Sequence, residues 1–528
     1  MASHPLSAVP ALSSNPSATA SLFLDFNGVD AMNWDGYAVP ATPAYTLDGD
    51  ATTFSDAEIA AIGEIWARVA EMYSPMNINV TTVDPGVYDN LVTQRVIIGG
   101  NGAWTGQSNT AGKSFVGSFY LDYRSNNCFV YSNNLSGNPK NTAVAIAHES
   151  GHAFGLAHQS TYSGGTKTAE YNPGDAQRCP IMGMPFGGAR ALWWQGTSSI
   201  ASTHIQSDLA VLAGSSSGFG YRPDEAGDTT TTAASLGISN TVVSASGVIH
   251  HSSDVDYYRF VTNGGNLSIN VLPAQYGGML DMKLELRDAS GALLGSADAA
   301  TIGGESLSAT LAGGTYYLVV ASHGEYGDVG QYSISGTIES APPTIGISAS
   351  TTVAEGTSLL LELLRADAGP AATDFWSIDW GDGTIQVVDG TATSASHTYA
   401  DDDSYAIAVT ATDTAATTSD AATLVVDVLD VAPTVSLAAA GTATAGSAYT
   451  LSLAGIVDPG NDTVTHLTVH WGDGTSDTYA ADATASHVFA AAATTRIVVD
   501  LTDEAGTHQS CATADVVVMD PDLAGNRL

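Results

Sequence analysis

Apolar side chains at Ile59, Ile62, Ile65, Trp66, Val69 and Met72 recur at helical spacing. They follow Ser55-Asp56-Ala57-Glu58, a capping box, and Pro75 closes the stretch, so a helix is predicted between these signals. Short apolar runs at residues 21–26 (stopped by Asn27-Gly28), 78–82, 95–98, 114–120 and 128–131 predict strands around it. The run Ala143-Val144-Ala145-Ile146-Ala147 has no polar face and predicts a second, buried helix. A closing helix is expected over 204–212, with Ile205, Leu209 and Leu212 on one face. Residues 1–20, rich in Ser, Ala and Pro, read as a disordered lead-in.

Beyond residue 222 the pattern changes to short β-type runs. Residues 254–260, 284–286 and 315–320 predict strands divided by glycine-rich turns, with Asp254 and Asp256 expected as solvated loop carboxylates, the alternative being calcium ligands. After Pro342-Pro343 an internal repeat appears. Asp379-Trp380-Gly381-Asp382-Gly383-Thr384 recurs as His470-Trp471-Gly472-Asp473-Gly474-Thr475, roughly the length of one sandwich domain later. Ser396-His397-Thr398-Tyr399 likewise matches Ser486-His487-Val488-Phe489, and Thr412-Asp413 matches Thr502-Asp503. Gly-Asp-Gly predicts a tight turn, with Trp380 or Trp471 packed in or against a core.

With 528 residues the chain exceeds what one core can organise. The glycine- and serine-rich stretch from Gly214 to Gly220 and the Pro342-Pro343 pair read as boundaries that few contacts cross. A balance of 54 acidic against 15 basic side chains, net −39, argues against nucleic-acid binding. It suits an extracellular surface, and it leaves room for carboxylate sites that bind Ca2+. No apolar stretch is long enough to span a membrane. Met1 to Ala20 lacks the basic start and apolar core of a secretory signal, so an exported form would have lost its signal or used another route. Three cysteines, Cys128, Cys179 and Cys511, allow one disulfide with a leftover thiol, or three reduced side chains.

The candidate chemistry lies in His148-Glu149-Ser150-Gly151-His152-Ala153-Phe154-Gly155-Leu156-Ala157-His158. On a helix His148 and His152 are one turn apart and reach one metal ion together. Glu149, about 100° around the axis, can touch a metal-bound water without ligating the metal. Gly155 permits the turn that returns His158 as third ligand, leaving a fourth position open as in catalytic zinc sites.

This motif resembles that of the metzincin metallopeptidases, whose second hallmark is a methionine turn beneath the metal; Cys179-Pro180-Ile181-Met182-Gly183 fits that place. The resemblance implies one catalytic Zn2+ held by His148, His152 and His158, with Glu149 as general base and acid and Met182 as an apolar floor. It also implies an α/β (α+β) catalytic domain whose antiparallel edge strand, expected from Ser114 to Tyr120, pairs with a protein or peptide substrate. No tyrosine closely follows Met182, so the tyrosine that some members use for transition-state support has no counterpart in the sequence pattern. Gln159, after the third histidine, matches none of the best-known subfamilies. By the same resemblance, Cys128 and Cys179 are candidates for a disulfide. Residues 222–340 resemble the pre-peptidase C-terminal (PPC) domain, and the repeated signature resembles PKD domains.

The resulting expectation is a multidomain chain: lead-in 1–20, metzincin-like domain 21–220, then three all-β sandwiches at 222–340, 343–430 and 432–520. Its function would be that of a bacterial, extracellular or cell-surface zinc endopeptidase, its β-domains binding substrate or a surface or matrix polymer. The alternative is an adhesion protein whose metzincin-like domain is structural or inactive. The intact Glu149 separates the two, since a site without chemistry has no need of it.

Overall fold

Ser55 opens helix α1 (Asp56–Met72) through both halves of the capping box: its hydroxyl accepts from the Glu58 N–H, and the Glu58 carboxylate accepts the Ser55 N–H at 2.7 Å. In the computed structural model, the described residues run from 3 to 521 apart from 108, 240, 300–302, 340, 367–372 and 414–417. They form two compact units, Met1–Ala341 and Pro342–Leu528.

In the first unit, β1 (Ala20–Asp25), β2 (Ile78–Thr81), β3 (Thr93–Ile98), β4 (Gly112–Lys113) and β5 (Asn127–Val130) make one sheet in the order β2-β1-β3-β5-β4. All neighbours are parallel except β4, which runs antiparallel to β5 at the edge. Helix α2 (Pro139–Ala153) starts at Asn138, whose side chain accepts the Asn141 N–H, and places Ala143–Ala147 in the core with Ile62, Ile65 and Val69 of α1.

Several expectations differ from the structure. Residues 3–20 are not a loose lead-in: Ser3–Pro5 pairs with Thr53–Ser55, and Ser14 and Leu12 exchange backbone hydrogen bonds with Val80 and Thr82. They thereby satisfy the open edge of β2. The edge strand is Gly112–Lys113, while Ser114 to Tyr120 is loop and turn. There the N–H groups of Gly117 and Phe119 donate to the carbonyls of His152 and Ala153, capping the end of α2 instead of extending a ladder. The closing helix, α3, covers only Asp208–Leu212, because Ile205–Ser207 pairs with Gln195–Thr197 and leaves Ile205 exposed. Cys128 and Cys179 are both buried free thiols; the Cys179 Sγ faces the carbonyls of Pro185 and Arg190.

The β-rich region after residue 222 is built on two long antiparallel strands, Val255–Pro273 and Glu305–Ser322. Asp254 and Asp256 are buried, not solvated. Asp254 accepts from the His250 N–H and ring Nδ1, and Asp256 accepts from the Tyr332 hydroxyl. This region is joined closely to the five-stranded sheet and its helices, so Gly214–Gly220 is not a boundary that few contacts cross. Met279 and Val329 belong to the same core as α1 and α2. Glu71 of α1, fully buried, accepts the N–H groups of Met279 and Gln331 at 3.1 Å each. Arg190 donates to Asp328 Oδ1 at 2.6 Å and to the Met279 carbonyl at 2.7 Å. The Tyr326 hydroxyl accepts the Leu209 N–H at 2.9 Å.

In the second unit, two sandwiches repeat one plan, each a three-stranded and a five-stranded sheet. Trp380 and Trp471 are fully buried, each stacked on a histidine, His397 or His487. Those histidines bond Asp382 and Asp473 of the Gly-Asp-Gly turns, both at 2.7 Å. The flanking Gly381 and Gly383, at φ +86° and +91°, occupy backbone conformations that favour glycine. No helix among the described residues is long and apolar enough to cross a membrane.

Candidate metal centre

Helix α2 presents His148 and His152 on one face, their ring centroids 4.8 Å apart. The chain then turns at Gly155 (φ +106°) and brings the His158 ring to 4.7 Å from that of His152. A Cβ on Gly155 would lie 2.9 Å from the Tyr120 hydroxyl, so the turn demands glycine twice over, by conformation and by space.

Each imidazole is anchored through Nδ1. That of His148 donates to the Ile181 carbonyl at 2.7 Å, that of His152 to the Leu156 carbonyl at 2.7 Å, and that of His158 to Glu170 Oε1 at 2.8 Å. Carbonyl and carboxylate oxygens can only accept here, so the proton sits on Nδ1 and the Nε2 lone pair is left free. One ligand nitrogen from each of the three rings lies within 4.8 Å of the others, and no fourth His, Cys, Asp or Glu joins the set among the described residues. Burial also pushes the pKa values of His148, to about 4, and of His152 downward, which keeps both rings neutral. Three converging imidazoles with one open side suit a zinc ion.

The carbonyl that orients His148 comes from Ile181, one residue before Met182. Met182 is fully buried, and a Cβ on Gly151 would fall 2.7 Å from its sulfur, so the thioether presses on the helix between the two histidines. The Gln159 N–H donates to the Met182 carbonyl at 2.8 Å, tying the turn to the residue after His158. The Gln159 side chain donates to Asp208, which also accepts the Trp194 N–H. Trp193, fully buried, donates its indole N–H to the Met72 carbonyl, so it is a packing residue.

Glu149 is almost wholly buried beside the edge strand; a Cβ at Gly112 would sit 2.5 Å from its Cγ, so only glycine leaves room for it. Burial lifts its carboxyl to about 8 against the opposing pull of Lys113. A dication nearby would draw it down again. Two neighbours have no signal in the sequence pattern. Glu170 holds His158, and the Tyr171 ring lies 4.5 Å from the His158 ring and 6.2 Å from the His148 ring. Both precede the methionine turn, where no fixed spacing points to them.

Residues 99–185 match the model of the metallo-peptidase family M12B, reprolysin-like. Residues 254–322 match that of the bacterial pre-peptidase C-terminal domain, and 340–428 that of the PKD domain. No curated protein matches the chain. Among solved structures, the PKD domain of an M14-like peptidase from a Thermoplasmatales archaeon is 23% identical, over 17% of this chain and 96% of that one, with a TM-score of 0.16. The pre-peptidase C-terminal domain of a Bacillus anthracis collagenase is 24% identical, over 21% and 95%, with a TM-score of 0.16. PPC and PKD domains are typical of secreted bacterial proteins. The chain therefore carries a reprolysin-like M12B metallopeptidase domain, a PPC domain and PKD-type sandwich structure, in this order: an α+β catalytic region followed by several all-β domains.

Proposed function

We propose that the chain is a secreted zinc endopeptidase. The observation that carries this reading is the triple Nδ1 anchoring, which leaves three Nε2 atoms converging beside a buried glutamate. His148, His152 and His158 would hold one Zn2+, which when bound supplies a Lewis acid for the scissile carbonyl and acidifies a water. Met182 is the apolar floor beneath the ligands.

The Glu149 carboxylate takes a proton from the attacking water and delivers it to the departing amine nitrogen, so one residue serves both steps. Its confinement under Gly112 fixes where that proton is held. Substrate backbone adds to the sheet beyond Gly112–Lys113, which is the sheet's edge and lies directly over Glu149. Tyr171 stands beside the histidines and orients the substrate carbonyl.

The PPC region (222–340) and the two PKD-type sandwiches (343–430 and 432–520) serve as accessory domains that hold large substrates or surface polymers. Metal content together with cleavage of a mixed peptide library tests the proposal. One zinc per chain with zinc-dependent cleavage is expected. Stoichiometric zinc without cleavage of any peptide would instead favour an adhesion protein with a structural metal.

A further inference from the structure

We propose that the junction between the two sandwiches of the second unit is a calcium site, formed by Glu355, Asp401 and Asp402 of the first and Asp458, Asp462 and Asp503 of the second. Ligand oxygens of Glu355, Asp401, Asp402 and Asp462 lie within 4.8 Å of one another, and so do those of Asp458, Asp462 and Asp503. Asp462 is common to both sets.

Proximity of carboxylates alone would not make a site. Here, however, Glu355 is 1% exposed, and its Oε2 is buried with no hydrogen-bond partner while Oε1 accepts the Val431 N–H at 2.8 Å. Both carboxylate oxygens of Asp462 and the Oδ2 of Asp458 are buried and unpartnered in the same way. Leaving several anionic oxygens desolvated and unpaired is costly, and a cation removes that cost. A histidine also stands at the cluster: the Nε2 of His508 lies 2.8 Å from Asp503 and 3.7 Å from Asp430. Glu504 adds a further negative charge; its carboxylate accepts the Thr463 N–H.

The backbone is shaped for close approach. A Cβ on Gly460 would lie 2.3 Å from Glu355 Oε2, and one on Gly356 would lie 2.4 Å from the Pro459 carbonyl. Glycine at both places lets the second sandwich's loop sit against the first sandwich's carboxylate. An all-oxygen set on loops, at separations that span an ion with bonds of about 2.3–2.6 Å, selects calcium over zinc, which prefers nitrogen and sulfur, and over the smaller magnesium. A shared ion would fasten the two sandwiches into one rod.

The test uses the full-length protein, zinc-loaded, freed of calcium with EGTA and then titrated with calcium chloride. Calcium is expected to protect the connecting segment, residues 429–434, from limited proteolysis, read by mass spectrometry. Asp462→Asn and Glu355→Gln are each expected to shift the calcium midpoint for that protection upward by about tenfold or more. Calcium-free Asp462→Asn should unfold no earlier than calcium-free wild type, since it loses a repelling charge, so its lost response cannot be ascribed to misfolding. Equal cleavage with and without calcium, or wild-type midpoints in both variants, would overturn the proposal.

Discussion

Glu170 Oε1 accepts the Nδ1–H of His158 at 2.8 Å, and this contact fixes the one metal-site histidine that no helix holds. Its other oxygen takes Lys167 at 2.7 Å. Partners of this kind typically contribute about 10–100-fold to metal affinity. Glu170→Ala is therefore expected to raise the zinc dissociation constant by about that factor, read by competition with a chromogenic chelator, while the saturated variant keeps most of its activity.

Tyr171 gives a different signature. Its ring packs on His158 without bonding a ligand nitrogen, so removing the hydroxyl should leave zinc content unchanged. If that hydroxyl supports the developing oxyanion, Tyr171→Phe lowers kcat by up to about 10²-fold with little change in KM. A change confined to KM would make it a wall of the cleft instead.

The first unit should not tolerate division near residue 220. Removing the chain beyond that point would expose Glu71, Arg190 and the core face that Met279 and Val329 cover. A chain ending at 220 is expected to melt early or aggregate, whereas one ending at 341 should fold and cleave short peptides. Arg190→Ala, which strands the buried Asp328, is expected to cost about 3–5 kcal/mol in the longer chain by denaturant unfolding.

Glu71 also gives the junction a pH dependence. Burial raises its carboxyl to about 7, against the three N–H donors of Met279 and Gln331, so the folded form holds a proton that the unfolded chain loses near 4.5. Its contribution is full below about 4.5 and is lost as pH rises through 7. The melting temperature of the wild type should therefore fall more steeply between pH 5 and 8 than that of Glu71→Gln. Parallel profiles would show that Glu71 is charged throughout.

Local order is written plainly in the chain, and long-range contact is not. His148, Glu149 and His152 share a helix whose geometry comes from spacing alone, and the Ser55 capping box involves residues three apart. The displaced edge strand shows the opposite case: Ser114 to Tyr120 has an apolar pattern, yet its N–H groups go to the end of α2, a partner that spacing cannot reveal. Glu170 and Tyr171 reach the centre only through the fold of the loop after His158. Asp256 is half legible: it shares the inward parity of Tyr258 and Phe260 on one strand, while its polarity points outward. The Glu71 and Arg190 contacts bridge residues far apart in the chain and leave no trace in local pattern.

In the proposed mechanism Glu149 moves the proton while the histidines hold the metal. Glu149→Gln keeps the size of the side chain beneath Gly112 but cannot accept a proton, whereas changes at His148, His152 or His158 each remove a ligand. Positioned proton transfer contributes about 10²–10⁴-fold to rate. Zinc content and peptide turnover measured on the same Glu149→Gln preparation decide the matter. Full zinc with turnover reduced by at least about 10²-fold is expected; full zinc with near-normal turnover would rule out Glu149 as the base.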